Sequence, residues 1–301
     1  MALKQVKSKI VATKKTGQVT KAMEAVSAVK MRKSQERAFS GRPYVRAALR
    51  ILSRIAASQD GLSHPFVEPR VTGKRLLIVA TSDKGLAGSV NSAVLKLVDQ
   101  AMASGEEIEI VPIGRKAVEY ASRMDIATHG AYTNISDDVT VDDVSLISRQ
   151  VLELFAGREY RSVEIVYQNF LSTFEQLPSR RRVLPIDPAE LTAVLSGIRP
   201  KTGRFSEEVE AGPALTDYLI EPSPESVLDS LIPRLVQIMI YHALLEGKAS
   251  EHSARMVAMK NATDKSKELV KSLTIKYNKA RQAAITAEVS EITAGAEAMK
   301  D

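Results

Sequence analysis

The chain has 301 residues, 44% of them apolar and 26% charged, with a formal net charge of +6 and no cysteine. At roughly 100–200 residues per domain it holds one large domain or two ordinary ones, and no apolar run approaches the roughly 18 residues of a membrane span, so it reads as soluble. Disulfides, thiolate metal sites and cysteine nucleophiles are excluded, and the basic start lacks the apolar stretch and cleavage site of an export signal.

Residues 1–46 carry twelve Lys/Arg against Glu24 and Glu36, so the basic surplus sits at the N-terminus and the middle of the chain is net acidic. Such a segment suits an acidic partner: nucleic acid, anionic lipid or an acidic protein surface. The first 38 residues hold no aromatic for stacking on bases. All twelve prolines lie between Pro43 and Pro233, which leaves both ends free to form long helices. Apolar residues recur at spacings of three and four at Leu3, Val6 and Ile10, then Val19, Met23, Val26 and Val29. At the other end Leu228, Leu231, Leu235, Ile238, Leu245, Met256, Met259, Val270, Leu273 and Tyr277 do the same. A helix over residues 234–301 would run about 100 Å at 1.5 Å per residue, too long to be covered by a small domain. The economical solution is an antiparallel two-helix coiled coil in which each stripe shields the other.

Between the ends the pattern alternates. Residues 74–81 read as a strand, 89–103 as helix, 107–113 as strand, 115–123 and 139–155 as helix, and 162–169 as strand. This predicts an α/β class with a Rossmann-like central domain built on a mostly parallel sheet. The expected division is an N-terminal shaft helix over 1–60, the α/β domain over 70–200, a linker over 201–224 and a C-terminal shaft helix over 225–301.

Candidate chemistry is sparse. The turn from Thr81 to Ser89 stands where phosphates bind in such sheets, but it matches no nucleotide motif and reads as a tight strand-to-helix turn. Asp137, Asp138, Asp142 and Asp143 are simplest as first-turn acids favoured by a helix dipole. His129 lacks a triad partner, and His242 and His252 are about 280° apart around a helix, so neither metal ligation nor nucleophilic catalysis is expected. Arg180, Arg181 and Arg182 form a basic spot on the surface. No cofactor is expected.

The run from Thr20 to Arg37, TKAMEAVSAVKMRKSQER, resembles the N-terminal signature of the γ subunits of rotary F-type ATP synthases. Residues 250–264, SEHSARMVAMKNATD, and 277–288, YNKARQAAITAE, resemble their C-terminal signatures, and 83–91, DKGLAGSVN, a central one. These runs lie in order along essentially the whole chain. The resemblance implies a non-catalytic central rotor shaft that couples ion flow through a membrane c-ring to ATP synthesis or hydrolysis. Its partners would be three α and three β subunits, an ε subunit and the c-ring, at the cytoplasmic face of a bacterial plasma membrane, with no nucleic acid and no inserted segment. By position, the resemblance implies that Lys21, Met23, Lys30, Arg32, Lys33 and Arg255 face the acidic lever of the β subunits, and that Arg281 and Gln282 engage a β loop higher in the ring. Ile285, Val289, Ile292 and Met299 would sit in an apolar bearing, and Tyr218 and Glu221 would approach the c-ring and ε. Gly17 and Ala87 depart from the family pattern, Gly17 at the expense of local helix stiffness. The segment 199–212 is longer than usual. A coiled-coil nucleic-acid-binding protein is the alternative reading of the basic N-terminus.

Overall fold

The computed structural model describes residues 3–40, 47, 51, 64–187, 221 and 223–298. The expected linker therefore lies almost wholly outside the described residues. The described elements, in chain order, are α1 (Leu3–Ser40), β1 (Lys74–Ala80), α2 (Val90–Met102), β2 (Ile108–Ile113), α3 (Arg115–Arg123), α4 (Val141–Ala156), β3 (Tyr160–Phe170), β4 (Gln176–Leu184) and α5 (Pro224–Ala298). The chain forms two compact units, one of residues 1–27 with 256–301 and one of residues 28–255. Both long helices contribute residues to both units.

In the larger unit the sheet order is β2-β1-β3-β4, with β1 parallel to β2 and β3, and β4 antiparallel at the edge. From Leu76 to Ala80 β1 is an unbroken apolar run because both its faces are covered. Leu77 and Val79 pack with Val94, Val98, Ala117 and Tyr120 of α2 and α3. Leu76 and Ile78 face Val144, Ile147, Val151 and Phe155 of α4 and the stretch of α5 from Leu228 to Leu245. Each β-α step resembles the expected pattern to within a few residues. β4 was not foreseen: its Pro178 and three arginines disguise it, yet both features belong to edge strands, where a missing ladder donor is tolerated and charge discourages further pairing.

A glycine is required at the turn that leads into α3. Gly114, between β2 and α3, has φ +87°, and a Cβ there would lie 2.2 Å from the Thr81 carbonyl oxygen.

α5 spans 75 residues, about 110 Å at 1.5 Å per residue. One stretch of it is apolar enough to cross a membrane by length and composition, with a mean hydropathy of 1.2, but half of that stretch is buried in the protein's own fold, as in a core helix.

Candidate functional site

The smaller unit is a two-helix seam. On α1 the buried or half-buried positions include Leu3, Val6, Ile10, Thr13, Gly17, Thr20, Glu24 and Ser27, with Met23 beside them, and the same rhythm continues through Met31, Ser34 and Ala38. The steps alternate three and four without a break, which is the heptad rhythm of a coiled coil. α5 answers with Met259, Thr263, Ser266, Val270, Leu273, Tyr277, Ala280 and Ala284 in the same rhythm. Thr20 and Thr263 share a hydrogen bond of 2.7 Å. Gly17 faces Ser266 so closely that an added Cβ would lie 3.2 Å from the serine Cβ.

These contacts correct two expectations. Val19, Val26 and Val29 do not belong to the seam: they are 54% to 59% exposed, whereas Thr20, Glu24 and Ser27 are buried or half-buried. Gly17, read from the sequence as a weak point in an exposed helix interior, is instead where the two helices approach each other. The antiparallel register set by these two contacts places Leu3 opposite Ala280. Beyond Ala284 every α5 position from 285 to 295 is exposed. Ile285, Val289 and Ile292, at steps of four and three, form one apolar stripe that is 50% to 71% exposed.

The remaining expected contact residues are placed unevenly. Lys21, Arg32 and Lys33 are exposed, as are Arg281, Gln282 and Glu221, and Met23 is half-buried beside the seam. Tyr218 and Met299 lie outside the described residues. Lys30 is turned onto Asp137, Nζ to Oδ2 at 2.5 Å. Arg255 is only 7% exposed. Its guanidinium is held by Glu251 at 2.5 Å and by the Gly85 carbonyl at 3.2 Å. In the chain by itself the charge of Arg255 is thus paired inside the fold.

At the carboxyl edge of the sheet the turn after β1 spends its polar groups within the fold. The Ser82 amide and hydroxyl bond Asn91, Thr81 Oγ1 accepts from the Ala117 amide, and Asp83 accepts from the Arg115 amide. The hollow above it has about 30 Å³ of free space, room for a water molecule. It is a strand-to-helix turn, as expected.

The four aspartates divide. Asp143 closes a capping box with Thr140 at the start of α4, and Asp142 lies in the first turn, as expected of helix-start acids. Asp137 and Asp138 do something else. Asp137 bonds Lys30 of α1 and lies 3.2 Å from His252 Nε2 and 3.9 Å from Lys248 Nζ, both on α5. Asp138 pairs with Arg37 of α1 at 2.9 Å. The His252 ring and the Lys30 ammonium hold the Asp137 carboxyl far below the usual carboxylate range, against burial that pushes it up. Sequence spacing could not reveal this bridge, because its partners are 107 and 115 positions away.

At the opposite edge, Glu109 accepts from Lys74 at 2.7 Å and lies 2.5 Å from both the Tyr160 hydroxyl and His129 Nε2. Burial raises this carboxyl, but the Lys74, Tyr160 and His129 hydrogen bonds bring it down to about 2. His129 is thus held within this hydrogen-bond cluster by Glu109 and Tyr160. Arg180 pairs with Glu164 at 3.1 Å, while Arg181 stacks over Tyr167 at 5.3 Å. The arginine cluster is thus partly drawn into the sheet rather than wholly solvated. Among the described residues no group of three or more His, Cys, Asp or Glu is arranged to hold a metal.

A family model described as ATP synthase matches residues 2–299. The ATP synthase gamma chain of Geobacter metallireducens is 37% identical over 303 residues, covering 99% of each chain. That of Heliobacterium modesticaldum is 37% identical over 297 residues, again covering 99% of each. Among solved structures, a chain of the central stalk and c-ring of Tetrahymena thermophila mitochondrial ATP synthase superposes with a TM-score of 0.59 at 26% identity, covering 81% of this chain and 99% of that one. A chain of the Euglena gracilis mitochondrial ATP synthase reaches a TM-score of 0.66 at 17% identity, covering 99% and 94%, which shows the fold alone. Long terminal helices joined to a mostly parallel α/β sheet are thus the architecture of a rotary-motor stalk subunit. The chain belongs to the ATP synthase gamma-chain family, and its role is that of the central rotor shaft.

Proposed function

We propose that this chain is a non-catalytic shaft, turned at its α/β end by an ion-driven c-ring and presenting its paired helices to the catalytic β subunits. The observation that carries the reading is the end of α5. From residue 285 the helix continues without a partner among the described residues and exposes Ile285, Val289 and Ile292 on one side. A lone apolar stripe in water is poorly stabilised, so it calls for an enclosing surface. A ring of three α and three β subunits supplies one.

Lys21, Met23, Arg32, Lys33, Arg281 and Gln282 are retained as contacts to the β subunits. The five polar ones are exposed, and exposed ion pairs contribute only about 0–1 kcal/mol each, so they can be exchanged as the shaft turns. Lys30 joins them only if it leaves Asp137. Met299 would extend the apolar bearing, and Tyr218 and Glu221 would face the c-ring and ε. The division into shaft helices 1–60 and 225–301, an α/β foot over 70–200 and a linker over 201–224 remains our working description, as does a place at the cytoplasmic face of a bacterial plasma membrane.

Co-expression with matched α and β subunits tests the reading. A purified complex of three α, three β and one copy of this chain, with ATPase activity weakened by truncation after Tyr277, is the expected result. Failure to associate would overturn it.

A further inference from the structure

We propose that Asp137 is a positioning residue for torque transfer: it ties the α/β sheet domain to both long helices at once, and the grip on α1 depends on it. This rests on the rotor reading above.

The argument starts from how each helix is held within the larger unit. α5 is anchored by packing, with Leu228, Ile232, Leu235, Val236, Ile240 and Leu245 all in the main core. α1 is not. Among the described residues, Ala38 is its sole contribution to that core, and its other buried position in this unit, Ser34, is polar. What holds α1 is charge. Lys30 and Arg37, seven residues apart and so on one face of the helix, reach the adjacent Asp137 and Asp138.

The same loop grips α5 one turn apart, at Lys248 and His252. Lys248 also donates to the Ile135 carbonyl at 3.0 Å, which fixes the loop's backbone as well as its side chain. Asp137 thus divides its two oxygens: Oδ2 takes α1, while Oδ1 faces the Lys248 ammonium and the His252 ring of α5.

The kind of contact matters for the function. Apolar packing is non-directional and resists separation more than sliding. Charge-assisted hydrogen bonds are short and directional, so they resist the shear that a turning domain applies to a helix lying on it. A shaft whose first helix had only apolar contacts would slip where this one is pinned.

The test uses the assembled complex with its ring immobilised. The chain has no cysteine, so Lys96→Cys, at an exposed position on α2, gives a single attachment point for a bead on the α/β domain. We expect Asp137→Asn to widen the bead's thermal angular fluctuation by about twofold, since it weakens the larger of two ionic ties. Asp137→Glu, which keeps the charge, should restore most of the stiffness. ATP hydrolysis per assembled complex should stay unchanged, a separation that a general loss of folding would not produce. If Asp137→Asn does not assemble, Lys30→Met, which removes the α1 partner of the same carboxylate, is read for angular fluctuation alone. Fluctuation unchanged in the variant that assembles would overturn the clamp and leave the rotor reading intact. Failure of the unaltered chain to assemble or turn would overturn the rotor reading, and the clamp with it.

Discussion

Thr20 and Thr263 meet hydroxyl to hydroxyl at 2.7 Å, across a seam where a coiled coil ordinarily places two aliphatic side chains. Each hydroxyl also has a carbonyl of its own helix within reach, Gly17 for Thr20 and Met259 for Thr263, so one proton is donated across the seam and the other to the donor's own helix. The pair is therefore satisfied, and its loss should be measurable. Thr263→Val removes the shared bond and should cost about 1 kcal/mol, whereas Thr20→Val with Thr263→Val together should cost less than the sum of the singles, because the bond that each single removes is lost only once. Urea unfolding of the two singles and the double checks this. Additive costs would contradict it.

Gly17 should tolerate size badly. A leucine there must push α5 away from Ser266, and overpacking of this kind costs about 1–3 kcal/mol even though leucine is the better helix former. Thermal unfolding of Gly17→Leu should show a lower midpoint. A higher one would mean that the helices part freely at this level.

Acid should weaken the α/β domain in a way that Glu109 explains in part. Its carboxyl titrates at about 2 in the fold against the usual 4.5, so it takes up a proton less readily folded than unfolded. Its contribution is complete above about pH 4.5 and is lost as the pH falls toward 2. Glu109→Gln should flatten the acid limb of stability against pH, read from urea midpoints. An unchanged acid limb would exclude it.

The far end of α5 should respond to its surroundings rather than to its own sequence. Ile285→Glu and Ile292→Glu should leave the unfolding of the free chain within about 0.5 kcal/mol, as exposed substitutions do, yet weaken association with α and β subunits. Hydrogen exchange should find residues 285–298 unprotected in the free chain and protected in the complex. Protection in the free chain would argue against the enclosing ring.

Much of the α/β domain was legible because burial on both sides imposes its own signature. A run such as Leu76, Leu77, Ile78 and Val79 has no other comfortable place than an inner strand. The seam was legible as an architecture and misread in detail. Apolar periodicity chose Val19, Val26 and Val29, whereas the true rhythm runs through Thr13, Gly17, Thr20 and Ser27, small residues that a hydrophobicity pattern passes over. Admitting Ser, Thr and Gly as seam residues would have found it. Asp137 could not have been found in this way, since its role depends on chain segments more than a hundred positions apart meeting at one loop. Arg255 shows the converse: a charge in a recognisable run can be spent inside the fold.

The unbroken three-four alternation on the paired stretches has a mechanical consequence. A strict seven-residue repeat winds two helices around each other in a left-handed sense. A rope laid in one hand tightens when twisted one way and opens when twisted the other. The two directions of rotation therefore load the seam unequally, one pressing Gly17 onto Ser266 and the other drawing them apart, so this pair is a spring with a handedness of its own.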